Sequence, residues 1–223
     1  MRLTFAITSV LIVLLVGTSH AEWYIAAQGG VTLPNGLTNV RGTGATASVK
    51  QGDLDQANSG LYGFKIGYFF PGLPWLGLEG DFYHSNPHVK EQNVSRLTPL
   101  GVVIPFSVPG SHFSYNNGTV NIIARYPGKR FQPYIGGGIG VGWARLSDVH
   151  TFSTSTGQPL IESQSDKSLA YTGIAGVRFF ATKRVAVFTE YKYTSSSFNF
   201  GGNIAIKADY TAHNLVAGLS FHF

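Results

Sequence analysis

The chain has 223 residues, with 28 glycines, 13% aromatic and only 12% charged residues, no cysteine and a formal net charge of +5. Soluble domains carry about 25% charged residues, so this composition argues against a water-exposed globule, while a mean hydropathy of +0.08 is too low for a bundle of membrane helices. Absent cysteine excludes disulfide staples and thiolate chemistry, and a modest, scattered positive charge without interleaved stacking aromatics excludes a nucleic-acid surface.

Residues 1–21 have the form of a signal peptide, with Arg2 as a basic start, an apolar run over 5–16 and Ser19-His20-Ala21 before the cut. The run is too short for a spanning helix, which needs about 20 residues. Residues 22–223 are therefore expected to form one domain, and to enter a membrane only as strands. Residues 23–31 alternate weakly, and 32–60, rich in Gly, Thr, Ser and Asn, are expected to be a long mobile loop. In 61–70, Tyr62, Phe64, Ile66, Tyr68 and Phe70 share one face, with Gly63, Lys65 and Gly67 on the other. Pro71-Gly72-Leu73-Pro74 reverses the chain into 76–84, where Leu78, Gly80 and Phe82 face outward and Glu79, Asp81 and Tyr83 inward.

A second long segment, 85–111, precedes a strand at 113–126 in which Val120, Ile122, Ala124 and Tyr126 alternate with Thr119, Asn121 and Arg125. After a turn at 127–130, residues 131–145 set Tyr134, Gly136, Gly138, Gly140 and Gly142 against Ile135, Ile139, Val141 and Trp143. Residues 146–167 are polar loop; 168–180 and 185–194 form a hairpin with Thr172, Gly176, Arg178, Glu190 and Lys192 inward. A fourth loop, 195–209, leads to a last strand, 210–223, whose Leu215, Ala217, Leu219, Phe221 and Phe223 make an apolar face, with Val216 the exception on the other.

Eight strands, three short turns and four long loops in strict alternation predict an all-β fold, an eight-stranded antiparallel transmembrane β-barrel with the termini and short turns on the periplasmic side. Its interior is just wide enough for side chains. A Lys or Arg facing lipid at the midplane costs about 2–4 kcal/mol, so Lys65, Arg125, Arg178 and Lys192 are expected inside, meeting Glu79, Asp81 and Glu190 in a network that plugs the lumen. Trp23, Tyr68, Trp75, Tyr126 and Phe223 at one end, and Trp143, Tyr171 and Tyr193 at the other, are expected to form two interfacial girdles.

The segments Leu76-Gly77-Leu78-Glu79, Arg125-Tyr126-Pro127-Gly128, Pro133-Tyr134-Ile135-Gly136, Gly176-Val177, Glu190-Tyr191-Lys192-Tyr193 and the ending Gly218 to Phe223 resemble the small outer-membrane β-barrel superfamily of OmpA-like barrels and opacity-type surface proteins. The resemblance implies residence in the outer membrane of a Gram-negative-type bacterium among lipid and lipopolysaccharide. It also implies recognition of Leu215, Ala217, Leu219, Phe221 and Phe223 by the barrel-assembly machinery. It covers adhesins, structural anchors, narrow pores and a few lipid A-modifying enzymes; no peptidoglycan-binding domain is expected after the barrel, and with it no wall-tethering role.

Three motifs invite sharper chemistry. The glycines of 136–142 lack the G-x-G-x-x-G register and a following helix, so a phosphate cradle gives way to a glycine-rich strand. His84 and Ser85 are adjacent and point to opposite faces, which disfavours catalysis, and Pro87 forbids a helical His84–His88 metal pair. No catalytic residue, metal ligand or cofactor is assigned. The apolar run 98–108 is the candidate contact surface for an extracellular ligand, or else a hairpin extension of the barrel.

Overall fold

The computed structural model describes residues 22–43, 50–97, 101–152, 158–202 and 205–223; the expected signal peptide lies outside them. Among the described residues eleven strands follow one another: β1 Glu22–Gly42, β2 Lys50–Gln51, β3 Ser59–Phe70, β4 Leu73–Ser85, β5 Gln92–Leu97, β6 Val103–Val108, β7 His112–Arg125, β8 Phe131–Phe152, β9 Pro159–Phe180, β10 Val185–Phe200 and β11 Ile206–His222. Eight of them, β1, β3, β4, β7, β8, β9, β10 and β11, pair in that order, and β11 returns to β1. Every pairing is antiparallel, and the ring closes from Tyr24↔His222 up to Gly42↔Ile206. Closure leaves no unpaired sheet edge in the wall, the condition for strands to stand in hydrocarbon.

Side chains alternate across that wall as the sequence pattern requires. Along β4, Glu79, Asp81 and Tyr83 are buried, whereas Leu78 is 43% exposed. Phe64, Val120, Ile122, Ile135, Ile139 and Leu219 are each about 60% exposed on the outside. In water so continuous an apolar surface would drive association; facing lipid it is the band that holds a barrel in place.

The strands run further than the hydrophobic alternation does. β8 and β9 have 22 residues each, about twice the 9–11 needed to cross a bilayer. Beyond the apolar band the outward residues turn polar, as at Ser163, Ser165 and Ser197, while inward burial continues to Phe200. Backbone pairing persists there without an apolar period to announce it. The expected loop at 32–60 thus begins as wall: β1 continues to Gly42 through irregularities at Pro34/Leu37 and Thr38/Arg41, where Gly36 and Asn39 take positive φ, and β3 starts at Ser59. The segments at 146–167 and 195–209 likewise begin and end as strand. Within 85–111, β5 and β6 form a hairpin attached through β2 to β1, so much of the apolar run 98–108 is a strand of that extension. Residues 98–100 of the run lie outside the described residues.

Candidate functional site

The lumen holds a compact ionic cluster at mid-height, drawn from three strands. Lys65 Nζ of β3 donates to Glu79 Oε1 at 3.0 Å and to Glu190 Oε2 at 2.6 Å, with Asp81 Oδ2 at 3.8 Å. Lys192 Nζ of β10 donates to Asp81 and to Gln28 Oε1 at 3.3 Å, and lies 3.5 Å from Glu190 Oε1. Lys65 also donates to Glu190 Oε1 at 2.9 Å, and neutral donors add to the set: Tyr24 to Glu79 Oε2 at 2.6 Å, Gln28 to Asp81 Oδ1 at 2.6 Å and Tyr134 to Glu190 Oε2 at 2.9 Å. All five charged residues are at most 3% exposed. A buried ion pair offsets its desolvation only when its remaining hydrogen-bonding sites are filled, and here all six carboxylate oxygens have partners.

Arg125 and Arg178 are inward but do not join the carboxylates as the sequence suggested. Arg178 instead lies over the ring of Tyr24, 4.3 Å from its centre, with Tyr134 at 5.5 Å. Those two tyrosines donate to Glu79 and Glu190, so the guanidinium reaches the acids through aromatic faces rather than by contact. Arg125 sits lower, at the turn end, over Phe69 at 3.5 Å, donating to Glu22 Oε1 at 2.7 Å, Gln132 Oε1 at 3.1 Å and the Pro74 carbonyl at 2.9 Å. Glu22 also contacts His222 Nδ1 at 2.7 Å. The alternation in the sequence marks the first strand only from Trp23; as β1 starts at Glu22, the same period-two rule turns the Glu22 carboxylate inward. Counting both sites, four cations (Lys65, Arg125, Arg178, Lys192) stand with four carboxylates (Glu22, Glu79, Asp81, Glu190).

Space for these long side chains comes from inward glycines. A Cβ on Gly176 would lie 2.6 Å from the Tyr134 hydroxyl oxygen and 2.8 Å from the Thr189 carbonyl. A side chain there would displace the ring that bonds Glu190. Above the ionic cluster the lumen turns aromatic. Tyr83 bonds Thr194 at 2.7 Å, Tyr115 donates to Asn117 at 2.9 Å, and the Tyr115, Tyr210 and Phe113 rings pack at 4.7 and 5.3 Å. Phe198 and Phe200 are fully buried beside them, as is Leu37, which exchanges two 2.8 Å backbone bonds with Leu54. Four of these, Leu37, Leu54, Phe198 and Phe200, fall in segments that the sequence presented as loops.

On the outside, Trp23 and Tyr68 are cross-strand neighbours with rings 4.8 Å apart, and Trp75 and Tyr126 are exposed at the same turn end. Trp143, Tyr171 and Tyr193 point outward towards the loop end. Leu215, Ala217, Leu219 and Phe221 face outward on β11, and Phe223 exchanges backbone bonds with Trp23 at 3.0 and 3.2 Å. His84 is outward, paired with Asn116 Oδ1 at 2.8 Å, while Ser85 is buried on the opposite face. The two share no reaction centre with Glu79 or Asp81, which are on the inner face. His88 is separate from His84 and faces His112.

A family model of the outer membrane protein β-barrel domain matches residues 8–223. No curated protein matches the sequence. Among solved structures, the chain is similar to the outer membrane protein OprG from Pseudomonas aeruginosa, with 17% identity, a TM-score of 0.53 and coverage of 93% of this chain and 98% of that one. Neisserial surface protein A is similar at 13% identity and a TM-score of 0.52, over 93% and 99% of the two chains. The outer membrane protease OmpT from Escherichia coli gives 10% and 0.52, over 92% and 98%. At these identities the structures speak for the fold. The chain belongs to the outer membrane β-barrel family, and its place is the outer membrane of a Gram-negative bacterium.

Proposed function

Starting from a chain that belongs to the outer membrane β-barrel family, we propose a non-enzymatic barrel with a plugged lumen, whose activity resides in its four outward connections as an adhesin, surface receptor or envelope-stabilising protein. The observation that carries this reading is the lumen. A fully bonded ionic cluster of Lys65, Glu79, Asp81, Glu190 and Lys192 fills its middle, and the Tyr115, Tyr210 and Phe198 stack fills the loop end. Its partners are outer-membrane lipid and lipopolysaccharide around the wall and an extracellular ligand at the loops. The barrel-assembly machinery would read Leu215, Ala217, Leu219, Phe221 and Phe223.

One observation favours a second reading, a narrow passive pore for small solutes. Within the inward strip Gly136, Gly138, Gly140 and Gly142 of β8, Gly138 lies between Asn121 and Thr172, whose buried amide and hydroxyl atoms have no protein partner. Buried polar atoms of this kind call for water. Single-channel recording of the folded protein in a planar bilayer separates the two. A silent bilayer containing folded barrel supports the plugged reading. Steady ohmic openings that change in Glu79→Gln overturn it in favour of the pore.

A further inference from the structure

At the loop end of the barrel, on its outer surface, two histidines face each other across a short antiparallel pairing. Val89 and Ser111 exchange both backbone hydrogen bonds, at 3.0 and 3.1 Å. Their neighbours His88 and His112 therefore form the adjoining non-hydrogen-bonded pair, the kind whose side chains stand closest. The two rings are 5.0 Å apart at 80°, and both residues are exposed. With metal–nitrogen bonds of about 2.0–2.1 Å, two imidazoles on one ion have ring centres roughly 4.5–5 Å apart. The observed spacing fits without moving the backbone.

A third residue acts on the pair. Asp148 Oδ2 lies 3.0 Å from His112 Nδ1. Ordinary alternation would turn Asp148 into the lumen, because the preceding Ser147 pairs with His112 and shares its outer face. A bulge in β8 between Leu146 and Val149 intervenes, and Asp148 takes a φ of 59° there. Bulges commonly re-aim a side chain, and a non-glycine residue at positive φ is uncommon, with Asp among the types that tolerate it. The carboxylate thus binds Nδ1–H of His112 and leaves Nε2 free as a ligand, the orienting contact typical of metal-bound histidine.

We infer that His88 and His112 form a surface binding site for a divalent transition-metal ion, with Asp148 as the residue that positions His112. Among the described residues no three ligating side chains converge there, so water completes the coordination. Imidazole ligands suit Cu2+, Ni2+ and Zn2+, and Cu2+ binds tightest in that series. Metal would fasten the excursion carrying β5 and β6 to the rim at β7, because His88 precedes the hairpin in the chain and His112 follows it. This site is independent of whether the lumen conducts.

The test is titration of folded, untagged protein in detergent micelles with Cu2+, followed by calorimetry and electron paramagnetic resonance. The expected result is one ion per chain with two imidazole nitrogens. His88→Ala and His112→Ala should each weaken binding at least about tenfold and leave one nitrogen. Asp148→Asn should weaken it about 10–100-fold while keeping two nitrogens; unchanged affinity there overturns the positioning role. His150→Ala, at an exposed histidine elsewhere on β8, should change nothing. No saturable one-to-one binding, or binding indifferent to His88→Ala in protein with wild-type β-sheet circular dichroism, overturns the site.

Discussion

Lys65→Met isolates the electrostatic logic of the lumen, because methionine keeps most of the side-chain length and removes the ammonium. Lys65 is the only cation within ion-pair distance of Glu79 among the described residues, and it also makes the shortest contact to Glu190, at 2.6 Å. Its removal leaves Glu79 with the Tyr24 hydroxyl and Glu190 with Tyr134 and the more distant Lys192. Stranding a buried charge in this way costs about 3–5 kcal/mol. With a urea dependence of about 2–3 kcal/mol per molar, the unfolding midpoint should fall by about 1–2.5 M. Tryptophan fluorescence of protein folded in vesicles, followed in both the unfolding and refolding directions, reads this shift. Lys183→Met, in the short turn before β10, should stay within about 0.5 kcal/mol of wild type. Adding Glu79→Gln to Lys65→Met should recover part of the loss, since the amide oxygen still accepts from Tyr24 and the uncompensated charge is gone. Equal midpoints for Lys65→Met and Lys183→Met would refute the claim that the cluster is a desolvated, interdependent unit.

Two other perturbations probe different layers. Gly176→Ala should cost about 1–3 kcal/mol by overpacking against Tyr134, whereas Gly173→Ala, with nothing within 4 Å of its added carbon, should be nearly neutral; equal midpoints would contradict the inward packing. At the loop end, the Ser197 hydroxyl, 2.6 Å away, and then the Asn39 amide at 2.8 Å hold the Asp209 carboxyl below its usual range. A depressed folded pKa contributes stability that is full above the unfolded value of about 3.9 and is lost as pH falls through the lower folded value. The advantage of wild type over Asp209→Asn should therefore be present at about pH 6 and shrink below about pH 4, and a pH-independent gap would count against the assignment.

How much of this was legible depended on whether an apolar period and a polar one met at the same residues. Lys65 and Lys192 sit between two outward apolar or aromatic neighbours, and Glu79, Asp81 and Glu190 each have at least one, in Leu78, Phe82 and Tyr191, so lipid and lumen wrote opposite signs at successive positions. Phe198 and Phe200 carry no such contrast: their outward neighbours Ser197 and Asn199 are polar, and an alternation of aromatic-in and polar-out beyond the membrane looks like a loop with occasional aromatics. Glu22 was lost to a boundary one residue off, and Arg178 was assigned a carboxylate partner because sequence carries direction but not height in the barrel. The His88–His112 pair was illegible for another reason: it depends on the pairing of Val89 with Ser111, a contact 22 residues apart that no local pattern encodes.

The buried ionic cluster of the lumen also bears on how the strands align. A one-residue slip of β3 between β1 and β4 would move Lys65 to the lipid face and bring Phe64 and Ile66 into the lumen, because the side-chain period is two. The ammonium alone would then cost about 2–4 kcal/mol at the bilayer midplane, before the loss of its contacts to Glu79 and Glu190. Lys192 imposes the same condition on β10, through Asp81 on a strand of the opposite wall. A hydrophobic lumen would stabilise several registers to similar degrees, since apolar contacts are non-directional. Paired charges set against inward glycines such as Gly176 accept only one. The buried network thus favours a single register of β3 and β10.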